Sequence, residues 1–419
     1  MKLDRQQQAM LAGDEGPAPA MAMRILSTMG RAMNAPGMVR IESAHVDGCL
    51  LHGKSGVTFA EKLVSMKGKV RVPTTLNVGA MDLNRPENVR LDSARGDLAV
   101  RLMNAYVAMG GKPTWTCAPY QAGFRPRVGA HVAWAESNAV VFANSVLGAR
   151  TNRYGDFMDI CCALTGYAPY SGMHRPEHRV ATVLVDASPL PDTLWQDDAA
   201  FAVLGSWLGR SVGKDIAVID GMPVDISEDR LKALGAAAAS TGSVALFHIA
   251  GVTPEAPDVK TALGGNAPAR VLTLTQERFA TQRDRMSTAR GDRVDVVAVG
   301  SPHFSLDEFT HLIRFFGDRR SRIPFYACTG RHVLSALDQM GGVKRLEQIG
   351  VQLILDTCVV VTAVIPGSGG VLMTNSGKFA HYSPSLIRHD VVFGSLADCV
   401  ESAVAGRVLR ARRHSEPGA

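Results

Sequence analysis

The second half of the chain carries the clearer pattern of apolar and polar positions. Apolar runs at Ile216–Ile219, Val244–Ile249, Val271–Thr275, Val294–Val299, Pro324–Ala327 and Val351–Leu355 alternate with stretches of helical periodicity. Those stretches start from Ser227, follow Thr275 as a charged segment, and run around Leu306–Phe316 and through Val333–Ile349. Strands alternating with helices of about 10–15 residues imply βαβ units and a mainly parallel sheet flanked by helices. Ser227 ahead of Glu228 and Asp229 predicts an N-cap, and Ser305 with Glu308 has the spacing of a capping box. The first half is less regular. Helices are predicted over Gln6–Met10 and Ala20–Met29 and a strand over Val39–Ser43, and many special loops follow. The turn residues Pro189, Pro191 and Asp192 open the best boundary, 189–215. It separates a loop-rich α/β lobe, 1–200, from a regular α/β lobe, 201–419. Ala236–Ala239 is the one low-complexity run.

Composition narrows the class. A chain of 419 residues is too long for one ordinary domain. With 41 glycines, 21 prolines and only 6% aromatics it favours loop-built sites over a helical scaffold. The longest apolar run, Val359–Ile365, is far short of the roughly 20 residues that span a bilayer. The N-terminus carries early acidic residues and no secretory apolar core, so a cytoplasmic protein with no membrane partner is expected. The net charge of +6 is modest, and the only dense basic run is Arg407 to Arg413, read as a solvated terminal helix. A nucleic-acid binder would gather its basic residues on one face, so no nucleic-acid partner is expected. Seven cysteines in such a protein point to reduced thiols, some of them available to a metal.

Four segments concentrate polar chemistry. In open α/β sheets, ligands bind beyond the carboxyl ends of the strands. Val294–Val299 runs into Gly300-Ser301-Pro302-His303 and Val351–Leu355 into Asp356-Thr357-Cys358. Parallel strands would bring Ser301, His303 and Cys358 to one edge. The alternative is a buried cysteine beside a helix-capping loop. A second segment holds Thr116-Cys117-Ala118-Pro119-Tyr120, Glu136-Ser137-Asn138, Asn144-Ser145 and Gly148-Ala149-Arg150-Thr151-Asn152, a dense polar lining or else a capped, turn-rich connection. A third holds Ala44-His45-Val46-Asp47-Gly48, His52-Gly53-Lys54-Ser55-Gly56 and Thr75-Leu76-Asn77. Its glycines beside Ser and Lys let backbone amides approach an anion, although no Walker spacing is present. The fourth, Asn375–Tyr382, sets Lys378 in a glycine-made turn suited to a carboxylate.

Taken in order, Thr116–Tyr120, Ala135–Asn138, Asn144–Asn152, Gly300–His303, Asp356–Cys358 and Asn375–Tyr382 resemble the large subunit of the aconitase X family over nearly the whole chain. The resemblance implies aconitase-like, cluster-bearing α/β lobes. The swivelling domain would come from a separate small subunit. It further implies a hydro-lyase with an iron–sulfur cluster held at positions matching Cys117, Ser301 and Cys358. One branch has Gly-Cys-Pro-His where this chain has Gly300-Ser301-Pro302-His303. That branch dehydrates mevalonate 5-phosphate. Serine there resembles the branch that dehydrates cis-3-hydroxy-L-proline to a pyrroline-2-carboxylate, some members of which have a cysteine where this chain has Thr362. Exchanging thiolate for oxygen changes charge donation to iron. The centre is therefore left open between 2Fe-2S, 3Fe-4S and mononuclear iron, with Ser301, water or Cys328 as third ligand. Cys49, Cys161, Cys162 and Cys399 are expected to be structural.

By the same resemblance Lys378 and Arg150 would hold the substrate carboxylate. Asn77, Ser55, Glu136, Ser137 and Asn138 would position the hydroxyl and ring nitrogen, with Gly53, Gly56 and Asn152 completing the lining. The base would be a serine of the small subunit. Two rivals stand beside this reading: mevalonate 5-phosphate as substrate, and a non-catalytic regulatory subunit that has lost its cluster. A metal-free hydrolase built on Ser301 and His303 fails, because no G-x-S-x-G elbow and no acidic orienter accompany them.

Overall fold

The computed structural model describes residues 1–410. Three parallel sheets organise it. The first has Thr74–Leu76, Ala44–Val46 and Ala133–Trp134 in that order. The second has His248–Ile249, Ala217–Asp220, Val183–Asp186 and Arg270–Thr273. The third has Val351–Leu355, Phe325–Thr329, Val296–Phe304, Val371–Thr374 and Asp390–Phe393. A short antiparallel pair joins Met38–Arg40 to Tyr167–Pro169. Crossover helices cover the sheet faces, so the strands of the third sheet are almost wholly buried and read in sequence as continuous apolar runs rather than alternating ones.

Local chemistry accounts for the helix starts. Ser305 and Glu308 close the expected capping box ahead of Leu306–Phe316, whose Phe309, Leu312 and Phe316 form the buried stripe. Ser227 caps Glu228–Thr241 by accepting from the Arg230 N–H. The Ala236–Ala239 run is the small-residue face by which that helix packs on Ala199–Val212.

Several expectations are corrected. The helix expected through 333–349 is two helices, Arg331–Gln339 and Gly342–Gln348, broken where Gly341 takes a left-handed φ of 73°. Only His248–Ile249 of the expected strand 244–249 joins a ladder. Ahead of it the Phe247 N–H donates to Ser145 Oγ at 2.9 Å and Ala245 O accepts from Asn144 Nδ2 at 2.8 Å, so side chains replace strand partners. The last helix, Leu396–Ala405, stops at Gly406, and Arg407 to Arg410 do not continue it; Arg412 and Arg413 lie outside the described residues. The four-stranded sheet also straddles 189–215, because Val183–Asp186 pairs with Ala217–Asp220 across that stretch. Among the described residues no helix is long and apolar enough to cross a membrane.

Candidate active site

Two sheet edges meet. In the three-stranded sheet, Val46 pairs with Leu76 and His45 with Trp134. One residue beyond the first pair come Asp47 and Asn77, and two beyond Trp134 comes Glu136, so parallel register alone sets Asn77, Asp47 and Glu136 in a row. Thr116 joins this edge through its N–H to Leu76 O at 3.3 Å. From the five-stranded sheet come Gly300–His303, Asp356–Cys358 and Asn375–Lys378, each beyond a strand or at its end. The His303 N–H donates to Cys117 Sγ at 3.3 Å, while its ring nitrogens reach Thr116 Oγ1 at 3.1 Å and Thr357 O at 3.2 Å. Lys378 Nζ crosses to Glu136 Oε1 at 2.5 Å. The thiols and the lysine, distant in sequence, are thus held in one place.

Both thiols are buried. Burial pushes the Cys117 thiol up to about 12 and raises that of Cys358. Against burial, the His303 N–H faces the Cys117 sulfur, and the Val360 and Val361 N–H groups face that of Cys358. Amides aimed at sulfur favour thiolate, and a metal cation would offset the rest of the burial cost. Among the described residues no three His, Cys, Asp or Glu side chains converge as a metal site. Ser301, at the expected third position, carries a hydroxyl oxygen. It is 7% exposed, its Oγ has no hydrogen-bond partner among the described residues, and its carbonyl is pinned by the Ser376 hydroxyl. A cavity of about 30 Å³ lies beside it, lined by Lys232, Glu308, Asn375 and Ser376 among others. Two sulfurs and one oxygen fit an iron centre. Gly300 permits this loop, since its φ is +91° and a Cβ there would lie 2.2 Å from Cys328 O. Cys328 is fully buried behind it.

Charge is matched on the other side of the site. Burial would raise the Glu136 carboxyl, but the Lys378 charge and hydrogen bond, with the Ala139 N–H at 2.7 Å, hold it below its ordinary value. Burial would lower Lys378, and Glu136 instead raises it. Ser137 Oγ lies 3.5 Å from Lys378 Nζ and donates to Glu136 at 3.2 Å. Asn138 Nδ2 donates to Cys117 O and Tyr120 Oη, both at 3.0 Å, and leaves its own carbonyl oxygen buried and unpartnered. Asn77 does likewise, donating to Asp47 Oδ1 with its own Oδ1 unpartnered.

Other expected residues make no described hydrogen bond to the Glu136–Lys378 pair. Gly53 precedes the helix Lys54–Ser65, Ser55 is exposed, and the described hydrogen bonds join neither these nor Gly56 to the Glu136–Lys378 pair. Arg150 sits beside His131 and His174, its Nε buried without a partner. Asn152 spends its amide on Ser171 O at 3.0 Å and the Met173 N–H at 2.8 Å, and Asn144 braces Thr151 and Ala245.

Three residues were given no role of their own by the sequence reading. Asp356, fully buried, takes both Arg331 nitrogens at 2.7 and 2.6 Å and Asn84 Nδ2 at 2.8 Å, tying the Cys358 loop to the first sheet's loops. Lys232, 2% exposed, pairs with Asp229 and Glu308 and reaches His303 O at 3.3 Å, backing the Ser301 loop. The third is Asp47. Burial and the charges of Glu136 and Asp156 raise its carboxyl to about 7, against the Asn77 hydrogen bond and Lys378. Its signal was present in the place of Asp47 just beyond a short apolar strand.

Comparison with known proteins agrees with this geometry. The family descriptions aconitase X first, second and third domain match residues 1–177, 181–284 and 294–405. The chain is 43% identical over 97% of its length to cis-3-hydroxy-L-proline dehydratase of Pseudomonas aeruginosa, covering 70% of that protein. It is 35% identical over 93% of its length to the phosphomevalonate dehydratase large subunit of Methanothermobacter thermautotrophicus, covering 96% of it. The crystal structure of Thermococcus kodakaraensis aconitase X in its holo-form superposes with a TM-score of 0.86 at 31% identity, covering 96% of this chain and 100% of that one. On sequence, fold and the meeting of its sheet edges, the chain belongs to the aconitase X family.

Proposed function

We propose that this chain is the large subunit of a hydro-lyase that removes water from cis-3-hydroxy-L-proline, giving a pyrroline-2-carboxylate. The observation that carries the reading is the buried Glu136–Lys378 pair. A cyclic imino acid is a zwitterion, and its two charges match this pair: the carboxylate to Lys378, the ring ammonium to Glu136. Mevalonate 5-phosphate would bring a doubly charged phosphate besides its carboxylate toward Glu136, with one lysine to offset them. The names of relatives at 43% and 40% identity agree with the imino acid.

Each residue then has a task. Lys378 holds the carboxylate and stabilises the negative charge that grows on it as the α-proton leaves. Glu136 and Ser137 hold the ring nitrogen. The unpartnered amide oxygens of Asn77 and Asn138 offer acceptors to the substrate N–H and hydroxyl, and leaving such groups unmet costs about 1–3 kcal/mol each. Cys117, Cys358 and Ser301 would hold iron, which when bound supplies Lewis-acid activation of the leaving hydroxyl. The α-proton base is assigned to a swivelling domain supplied by a separate small subunit. This chain covers 96% of the relative named as a large subunit, and 70% and 69% of the two relatives named for cis-3-hydroxy-L-proline.

The test combines this chain with its small subunit and iron under anaerobic conditions and assays cis-3-hydroxy-L-proline and mevalonate 5-phosphate in parallel. Turnover of the imino acid is expected. Turnover of the phosphate alone would refute the reading, and an iron-free, inactive complex would favour a regulatory subunit instead.

A further inference from the structure

Within the dehydratase reading, on which this inference rests, we propose that Asp47 is the proton donor to the leaving hydroxyl, so that the oxygen departs as water. Three observations carry it. Asp47 lies in the middle of the row that parallel pairing makes from Asn77, Asp47 and Glu136, at the end of the central strand of its sheet. One oxygen is fixed by Asn77, whereas Oδ2 has no hydrogen-bond partner among the described residues and the side chain is only partly buried, so that oxygen is free to meet a substrate. The Asp47 main chain is held too: Asp159 Oδ2 accepts from the Asp47 N–H at 2.6 Å and from the Gly48 N–H at 3.2 Å.

The neighbours decide its role. The groups that face Asp47 are Glu136 at the N-terminus of the helix Ser137–Ser145, Asp156 and Asp159 on the helix Asp156–Thr165, Lys378 on Gly377–Leu386, and Cys49 two residues on. Burial first, and then the charges of Glu136 and Asp156, favour the protonated form of Asp47 against the Asn77 hydrogen bond and Lys378, and raise its carboxyl to about 7. The other carboxyl that burial raises here, Asp159, has both oxygens engaged by the Asp47, Gly48 and Ile160 N–H groups. Glu136 is kept ionised by Lys378 and two backbone amides. Both ring nitrogens of His303 are engaged, by Thr116 Oγ1 and Thr357 O. His45 is neutral, lowered by burial to about 4. Neighbouring carboxyl groups whose environments separate them into one charged and one protonated member are the usual arrangement for acid–base work.

The step balances. The α C–H bond breaks, its proton goes to the base, and its electron pair becomes the new double bond. The β C–O bond breaks with its pair on oxygen, which takes the Asp47 proton and leaves as water. Asp47 is reprotonated from solvent as the base releases its proton there, so one water is formed per substrate and nothing is oxidised or reduced.

The experiment uses the complete two-subunit enzyme with wild type, Asp47→Asn and Asp47→Glu, each shown to carry equal iron. Two substrates are compared: the hydroxy imino acid and its 3-chloro analogue, whose chloride leaves without a proton. Losing a general acid costs about 10²–10⁴-fold. Asp47→Asn should lose at least about 100-fold in kcat on the hydroxy substrate but under about 5-fold on the chloro analogue. Exchange of the α-proton with heavy water should continue. Wild-type kcat should fall as pH rises through about 7, since the acid must be protonated, and that limb should vanish in the residual activity of Asp47→Asn. Equal losses on both substrates, loss of α-exchange, or full activity in Asp47→Asn would each overturn the proposal. Should Asp47→Asn not fold, Asp47→Glu decides the matter: a displaced carboxylic acid must raise the chloro-to-hydroxy rate ratio, and an unchanged ratio overturns the assignment. A wild-type enzyme inactive on every hydroxy acid would bring down the functional reading and this assignment together.

Discussion

Substituting Lys378 by Met separates the charge argument from mere packing. Lys378 and Glu136 are 15% and 4% exposed in their side chains and 2.5 Å apart. Removing one partner of a buried pair leaves an uncompensated charge and costs roughly 3–5 kcal/mol. In the wild type Glu136 sits below its ordinary value, so its contribution is complete above the unfolded carboxyl range and is lost as pH falls through the folded value. In Lys378→Met burial, the largest of the causes, is opposed only by the Ala139 and Asn138 amides and the Ser137 hydroxyl, and it lifts the folded value above the unfolded one. The variant's deficit should therefore shrink on acidification from pH 7 to 5. One proton taken up over two pH units returns at most about 2.7 kcal/mol. Lys378→Met with Glu136→Gln removes both charges and should recover most of the loss. Urea unfolding followed by tryptophan fluorescence reads this, with Trp134 two residues from Glu136 and 1% exposed. A deficit under about 1 kcal/mol that is flat with pH, and equal in single and double variants, would refute the buried-pair argument.

Further outcomes follow from the same contacts. Cys117→Ser and Cys358→Ser should each abolish iron-dependent visible absorbance while the far-ultraviolet circular dichroism stays native. Ser301→Cys should slow iron loss to a chelator, since thiolate is the usual cluster ligand. Gly300→Ala, with a Cβ 2.2 Å from Cys328 O at φ +91°, should destabilise by more than about 1 kcal/mol and lower iron content, read by thermal unfolding and metal analysis. Asp356→Ala removes a fully buried carboxylate that ties the Cys358 loop to Arg331 and Asn84; about 2–3 kcal/mol is expected, discounted because Arg331 is 38% exposed.

Three strands of the third sheet were legible because strands buried on both faces must be continuously apolar, and two of their ends could be read directly as Ser301 and Cys358, whereas Val371–Thr374 was not read and Lys378 was found through its glycine turn. The first sheet was not, because its strands are only two or three residues long and a period of two cannot be recognised in so short a run. That is why Glu136 and Asn77 were found only through their polar surroundings and Asp47 was passed over. The loop 144–152 shows the opposite error. Its density of Asn, Ser and Arg resembled a ligand lining, yet Asn144 and Asn152 hydrogen-bond backbone that no strand or helix satisfies. Polar density alone does not separate a site from a bracket. Position on a sheet edge adds to it: the unpartnered Asn77 Oδ1 belongs to the row that parallel register makes with Asp47 and Glu136, and the unpartnered Asn138 Oδ1 lies two residues beyond Glu136.

The arrangement also explains why the chemistry straddles separate sheets. The site as proposed, for a zwitterion and a metal, sets buried thiols, a buried lysine and buried carboxyl groups close together. Placed on a single strand end, their mutual repulsion and desolvation would have no compensation. Set on two edges, each group meets its partner from the other side: Glu136 meets Lys378, the Cys117 sulfur meets the His303 amide, and Asp356 carries Arg331 to the loop after Asn77. Each sheet brings half of a charge pair that neither could bury alone, so the site exists only when the edges are docked. Loss of any one of these links should therefore loosen the metal site and the carboxylate anchor together rather than one of them alone.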